Sequence, residues 1–477
     1  MRLAFLVPLG FAAGAIACRL LLLHAPAMFA VDRAQPLVVV TYWGSFGFTM
    51  WLALFAAIAI ASVGYIAALL SLSPRLATVP AAARGHSPFD KLRMTKLMMT
   101  SSATMTTSGL ACGAALFFPV VFSSDVYAYA GYGLMALHGL NPYAHAAVTL
   151  RSPLMDAVLW QWGNPPPVCV YGPAFVWFAQ AIVAIFAGFG PAAPLWALRV
   201  GACGALVLCA PLAFAAFPER TRAAAAAGIA LNPIAIWAAA EGHNDVYLVA
   251  IVLAGFALIA RGRPLTGAAV VALSALVKAP GLLAAAAAPL MFAASRSRSR
   301  VLAGSLVGFA AAALIAWPAL LQLSRNAGHG SYFPQFSLQY ALNAAFGASM
   351  AIALTVALVA ALAIGGCVLL WKENRSGVAL LVLALWIAIP NPYPWYALWI
   401  LPAALLAWET PATWAIVALT LSSVLRYLPD ATTDVSRAIS AVVATAPLAA
   451  AACVFIWCTR RSHSIARALR VARPDHS

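Results

Sequence analysis

Apolar runs long enough to cross a membrane recur from Leu3 to the basic tail, with few charges inside any of them. A spanning helix needs about 20 predominantly apolar residues. Only helices and closed barrels satisfy their backbone inside hydrocarbon. The chain therefore reads as all-α, a polytopic helical membrane protein. Its composition agrees: 64% hydrophobic, 8% charged and a mean hydropathy of +0.93 lie far outside soluble domains.

A net charge of +16 points first to nucleic acid, but the distribution explains it without that partner. Basic residues cluster between the apolar runs: Arg75 to Lys96, Arg220 and Arg222, Arg261 and Arg263, Arg296 to Arg300, Lys372 and Arg375, and Arg460 to Arg473. Read as cytoplasmic loops, these clusters fit about 14 spans (12–14), with both chain ends inside. The first apolar segment, Leu3–Leu23, is too long for an ordinary signal peptide and reads as an uncleaved span. Residues 1–107 are expected to form two spans plus a flexible cytoplasmic insert over 73–106. Residues 108–460 form the main membrane domain, and 461–477 a basic cytoplasmic tail. The largest outer loop, 123–194, fits juxtamembrane helices along the interface. Within it, Ala174–Phe189 fits a juxtamembrane or re-entrant helix. The 8 cysteines fall mostly inside apolar runs, with no CxxC and no zinc-like spacing, so no metal, cofactor or disulfide framework is indicated.

Against 12 acidic residues in 477, a carboxylate at the membrane rim is conspicuous. Asp125 follows an outgoing span in Phe122-Ser123-Ser124-Asp125-Val126-Tyr127, and ionisable groups at such depth usually face a cavity or each other. The same outer face gathers Glu241, Asp245, Arg199, Lys278, Arg325, His138, His243 and His329. Transfer of a sugar from a lipid phosphate needs a base for the acceptor hydroxyl and cations for the departing phosphate. Tyrosine and tryptophan faces in the outer loops can stack on sugar rings. Each signal has a structural alternative. Ser-Ser-Asp and His243-Asn244-Asp245 are good N-cap chemistry. Lys278 can snorkel, and Asn391-Pro392-Tyr393-Pro394 can be a turn with an aromatic-belt anchor.

Four passages carry a resemblance. They are Ser124-Asp125-Val126-Tyr127 with Gly139-Leu140-Asn141-Pro142-Tyr143, then Tyr171-Gly172-Pro173. The third runs from Leu231-Asn232-Pro233 through Gly242-His243-Asn244-Asp245 and Arg261-Gly262-Arg263-Pro264 to Ala275-Leu276-Val277-Lys278. The fourth is Asn391-Pro392-Tyr393-Pro394-Trp395-Tyr396 with Leu401-Pro402. Over about residues 108–410 their order and spacing resemble the glycosyltransferase C superfamily, nearest its bacterial phosphatidylinositol-mannoside and lipoglycan mannosyltransferases. The leading pair of spans and the segment 73–106 depart from that pattern.

The resemblance implies an inverting enzyme without a bound metal, facing the periplasm or exterior from the cell membrane, with Asp125 catalytic. It implies a polyprenyl-phosphate hexose donor, most often mannose, and a lipid or glycan acceptor. On this reading Arg199, Lys278 and Arg325 hold the donor phosphate. Tyr127, Asn141, Tyr143, His243, Asn244, Asp245, Tyr393 and Trp395 contact sugar or acceptor. Two rivals remain open at this point. A transporter or lipid flippase calls for mid-membrane charges and paired repeats. A non-catalytic envelope-assembly protein requires Asp125 to be dispensable.

Overall fold

The computed structural model describes residues 2–24, 36–37, 48–72, 101–121, 123–291, 297–326, 334–406, 408, 410–429 and 437–471. Most of the 73–106 insert and the end of the basic tail lie outside these residues. Two compact units are present: Met1–Tyr332 with Asp430–Thr433, and Phe333–Pro429 with Asp434–Ser477.

The first unit opens with α1 (Leu6–His24) and α2 (Phe48–Leu72), which pack antiparallel along small residues. A Cβ on Gly10 would stand 2.7 Å from the Ala57 carbonyl oxygen, and one on Gly64 2.8 Å from that of Leu3. Where lipid supplies no hydrophobic drive between helices, such close approach is what joins them. Helix α3 (Ser101–Ala115) begins within the segment expected to be an insert.

Three helices follow in the expected outer loop, none of spanning length: α4 (Asp125–Leu137), α5 (Pro153–Trp162) and α6 (Pro173–Phe186). Ser152 starts α5, its hydroxyl accepting the Met155 N–H at 3.1 Å, with Pro153 in the first turn. Helices α4 and α6 cross at Gly133, where a Cβ would lie 2.6 Å from the Ala179 backbone.

The long α7 (Ala192–Ala216) precedes a broken pair, α8 (Arg222–Ala230) and α9 (Pro233–Ala240), bent by 47°. Asn232 makes the break. Its side-chain oxygen accepts the N–H groups of Ile234 at 2.9 Å and Ala235 at 3.3 Å, while Pro233 has no N–H to continue α8. A short turn then leads into α10 (Asp245–Ala260), followed by α11 (Pro264–Leu273), α12 (Gly281–Met291) and α13 (Arg298–Asn326).

The second unit holds α14 (Leu338–Phe346), α15 (Ala348–Trp371), α16 (Gly377–Ala388), α17 (Leu401–Leu406), α18 (Pro411–Ser422) and α19 (Arg437–Val471). Only 11% of the apolar window of α15 is buried, which suits a helix facing lipid.

Among the described residues the structure is helical, without strands. Six of the described helices are long and apolar enough to span a membrane, or seven if the α8–α9 pair is one bent span. The sequence expectation of about 14 spans counts apolar runs, and many of these runs are cut into helices of 10–17 residues. Pro173, Pro264 and Pro394 open such helices, and glycines at positive φ end others, as at Gly190 (φ 104°) and Gly262 (φ 78°). Apolar sequence here is longer than continuous helix.

The α4–α6 crossing supports the site described next. Gly133→Ala is expected to cost about 1–3 kcal/mol through overpacking, whereas Gly188→Ala, with nothing within 4 Å, is expected to be tolerated. Thermal unfolding of both variants in detergent checks this.

Candidate active site

Asp125 is the first residue of α4, and Asp245 holds the same position in α10. Helix N-termini favour carboxylates, but neither flanking residue, Ser124 or Asn244, makes a side-chain cap bond. The Asp125 N–H donates to Ser123 Oγ at 3.2 Å, and Ser124 Oγ accepts from Gln161 Nε2 at 3.0 Å. The capping alternative for Asp125 therefore gains no support, because its carboxylate is directed elsewhere.

Asp125 Oδ2 receives the Tyr171 hydroxyl at 3.2 Å. The Tyr129 hydroxyl stands 3.3 Å from the same oxygen and 3.4 Å from Asn244 Oδ1, one proton between two acceptors. Among the described residues no hydrogen bond is made to Asp125 Oδ1. Burial, with the Asp125 charge contributing, pushes both phenols well above their ordinary value, so both remain donors. Behind Oδ2 lies His243, its Nδ1 3.8 Å away and also 3.7 Å from Asp245 Oδ2. Asp245 Oδ1 in turn meets Lys278 Nζ at 2.8 Å, and the ammonium stands 5.4 Å from the centre of the Tyr171 ring. Lys278 is thus a buried partner rather than a snorkelling lysine.

Exposure separates the carboxylates. The Asp125 side chain is 22% exposed and that of Asp245 0%. Glu241 is likewise buried, its Oε1 accepting the Val121 N–H at 3.0 Å. Only Asp125 of the three can meet a substrate hydroxyl without rearrangement.

The neighbouring loops explain how Tyr171 is held. Asn141 Oδ1 accepts the Tyr143 N–H at 3.0 Å, and the Tyr143 hydroxyl donates to the Tyr171 carbonyl at 3.1 Å. The Gly172 N–H donates to the Val277 carbonyl at 3.0 Å, and a Cβ at 172 would fall 2.1 Å from the Leu276 carbonyl oxygen. Only glycine permits this approach. Pro173 then fixes the first turn of α6. Tyr171-Gly172-Pro173 is therefore a junction that lays Tyr171 beside Lys278.

The expected site residues divide accordingly. Asp125, His243, Asn244, Asp245 and Lys278 come together. Asn141 and Tyr143 support Tyr171 from behind. Tyr127 is fully buried, its hydroxyl accepting the Leu37 N–H at 3.2 Å. The Arg199 guanidinium is also buried, donating to the carbonyls of Ala240, Leu116 (3.2 Å) and Phe118 (3.4 Å) and lying 4.5 Å from the Trp196 ring centre. It braces backbone in place of facing the cluster. Arg325 is exposed in the last turn of α13 and makes no hydrogen bond to the cluster among the described residues. Tyr393 and Trp395 lie in the second unit, stacked with centroids 4.7 Å apart at 8°, and Arg426 stands 5.0 Å from the Tyr393 ring centre.

Tyr129 and Tyr171 were not among the residues expected to line the site. Helical spacing carries the signal for Tyr129, since a residue four along from Asp125 shares its face and Tyr127, two along, does not. Tyr171 lies 46 residues from Asp125, and no local pattern connects them. Among the described residues no His, Cys, Asp and Glu group has the arrangement to hold a metal ion.

Two outcomes are expected. Lys278→Met leaves Asp245 buried without this cation and should cost about 3 kcal/mol, while adding Asp245→Asn should recover part of that loss. Thermal unfolding of the single and double variants measures the coupling. Burial also holds His243 below its ordinary value of 6.5, with Asp125 and Asp245 opposing and Lys278 assisting. Below pH 6.5 the unfolded chain then binds more protons than the folded one, so stability is lost as pH falls through that window and is flat above it. His243→Gln should remove this component from the pH dependence of the melting midpoint.

The comparisons with known proteins point to a mannosyltransferase family. A family described as "Alpha-(1->6)-mannopyranosyltransferase, N-terminal domain" matches residues 11–294, which include every member of the Asp125 cluster. A curated relative, "Alpha-(1->6)-mannopyranosyltransferase A" of Mycobacterium tuberculosis (strain ATCC 25618 / H37Rv), is 32% identical over 167 residues. That match covers 33% of this chain and 31% of the relative, so the chain spans less than a third of the relative's length. No solved structure matches the chain. Neither match favours the transporter or assembly readings. With more than half of its length inside the match, the chain belongs to the alpha-(1->6)-mannopyranosyltransferase family defined by that N-terminal domain.

Proposed function

We propose that the chain is a membrane mannosyltransferase, glycosyltransferase C-like, that moves mannose from a polyprenyl-phosphate donor to a lipid or glycan acceptor on the extracytoplasmic face. One observation carries the assignment of the base: Asp125 is the accessible carboxylate of a cluster whose other acid, Asp245, is sealed and ion-paired. Asp125 Oδ1 takes the proton of the acceptor hydroxyl as its oxygen attacks the anomeric carbon, and polyprenyl phosphate departs with the bonding electrons. One carboxylate suffices for this single displacement; a double displacement needs a second acid as nucleophile about 5 Å away. An α-linked product, as the family's description reads, then requires a β-linked donor.

The fixed neighbours support that role. The Tyr171 hydroxyl and a share of the Tyr129 proton hold Oδ2 before substrate arrives, which orients the carboxylate in advance. Lys278, over the Tyr171 ring, is the cation assigned to the donor phosphate, whereas Arg199 acts as a backbone brace. Asn141 and Tyr143 serve by holding Tyr171.

The test uses purified protein in lipid, radiolabelled polyprenyl-phosphate mannose and a mannoside acceptor. Asp125→Asn is expected to lower turnover by roughly 10²–10⁴-fold while donor binding and melting temperature stay close to wild type. Near-normal turnover in that variant would remove Asp125 from the base role. Absence of donor binding in the wild type would remove the donor class.

A further inference from the structure

We infer that His243 receives, by way of Asp125, the proton that leaves the acceptor hydroxyl; the inference rests on the reading of Asp125 as base. His243 occupies the turn between α9 and α10, fully buried, its Nδ1 3.8 Å from Asp125 Oδ2 and 3.7 Å from Asp245 Oδ2. It lies behind Asp125 and acts on the acceptor only through that carboxylate.

The charges around it argue for the transfer. Asp125, Asp245 and Lys278 act on the imidazole electrostatically, and the Tyr129 and Tyr171 hydroxyls join Asp125 beside it. Two carboxylates and one ammonium are the charges that act on the imidazole among the described residues, and both carboxylates favour its protonated form.

Two sites compete for the proton: the Asp125 carboxylate and His243. In water imidazole is the stronger base by about 2.6 pH units. Burial and Lys278 reduce that advantage, and carboxylates near the same nitrogen restore part of it. The step balances. The acceptor O–H bond breaks as its oxygen bonds to the anomeric carbon, and the carbon–phosphate-oxygen bond breaks toward polyprenyl phosphate. The proton passes to Asp125 and on to His243 Nδ1. The gap exceeds ordinary proton-transfer distance by roughly 1 Å, which a turn of the Asp125 side chain closes; such contacts tighten in substrate complexes. Asp125 is thereby ionised again once product leaves.

His243→Gln separates this from a packing role. The variant is expected to lose on the order of 10- to 100-fold in kcat at unchanged KM for donor and acceptor. The acid limb of its kcat profile should move to lower pH, because only Asp125 is left to take the proton. A loss of kcat with the acid limb unmoved, or an unmoved kcat, overturns the inference. If the variant fails to fold, nitrogen-15 titration of the 8 histidines compares folded wild type with Asp125→Asn. One imidazole should titrate at lower pH once the Asp125 charge is gone; eight unchanged curves overturn the inference. This second measurement needs no turnover, so a wrong donor class does not disguise its outcome.

Discussion

Asp245 is a carboxylate with no exposure, and the arrangement around the site follows from keeping it paired. Left alone in so apolar a setting it would destabilise the fold. The N-terminus of α10 and the Lys278 ammonium stabilise its charge. The lysine brings the 274–278 segment against the start of α10. The Gly172–Val277 backbone bond then brings Tyr171 to that segment, and Tyr171 reaches Asp125. A second buried charge acts on the other side. Arg199 ties the carbonyls of Leu116, Phe118 and Ala240, and Glu241 takes the Val121 N–H, which fixes the approach of the chain into α4. Asp125 is located between two charged ties, neither of which it makes itself.

Much of this was legible in the sequence, for a physical reason. Ionisable groups are so few in an apolar chain that Asp125, His243, Asp245 and Lys278 stood out on rarity and expected side, together with Glu241, Arg199, Arg325, His138 and His329. Orientation was not legible. Composition presents Tyr127 and Tyr129 alike, and only the helical period tells that one faces Leu37 and the other Asp125. Arg199 is a cation in any sequence reading, yet its donors are satisfied by carbonyls, whose positions no residue code announces. Tyr171-Gly172-Pro173 stood out as a motif, while the reason for its glycine, a carbonyl pressed against the missing Cβ, exists only after folding. Apolar runs outnumber the long helices among the described residues because hydropathy ignores the helix ends that Pro173, Pro264, Gly190 and Gly262 impose.

A carboxylate is symmetric in solution, and the two tyrosines abolish that symmetry. With the Tyr171 hydroxyl and a share of the Tyr129 proton on Oδ2, and no hydrogen bond to Oδ1 among the described residues, Asp125 presents one free oxygen. If this oxygen is the base, it has no means of choosing among the non-anomeric hydroxyls of a hexose, which are about equally acidic. Regiochemistry is then decided by which hydroxyl the acceptor's resting pose brings to that one oxygen. A change of linkage would arise from surfaces that seat the sugar, leaving the tyrosines and Asp125 as they are.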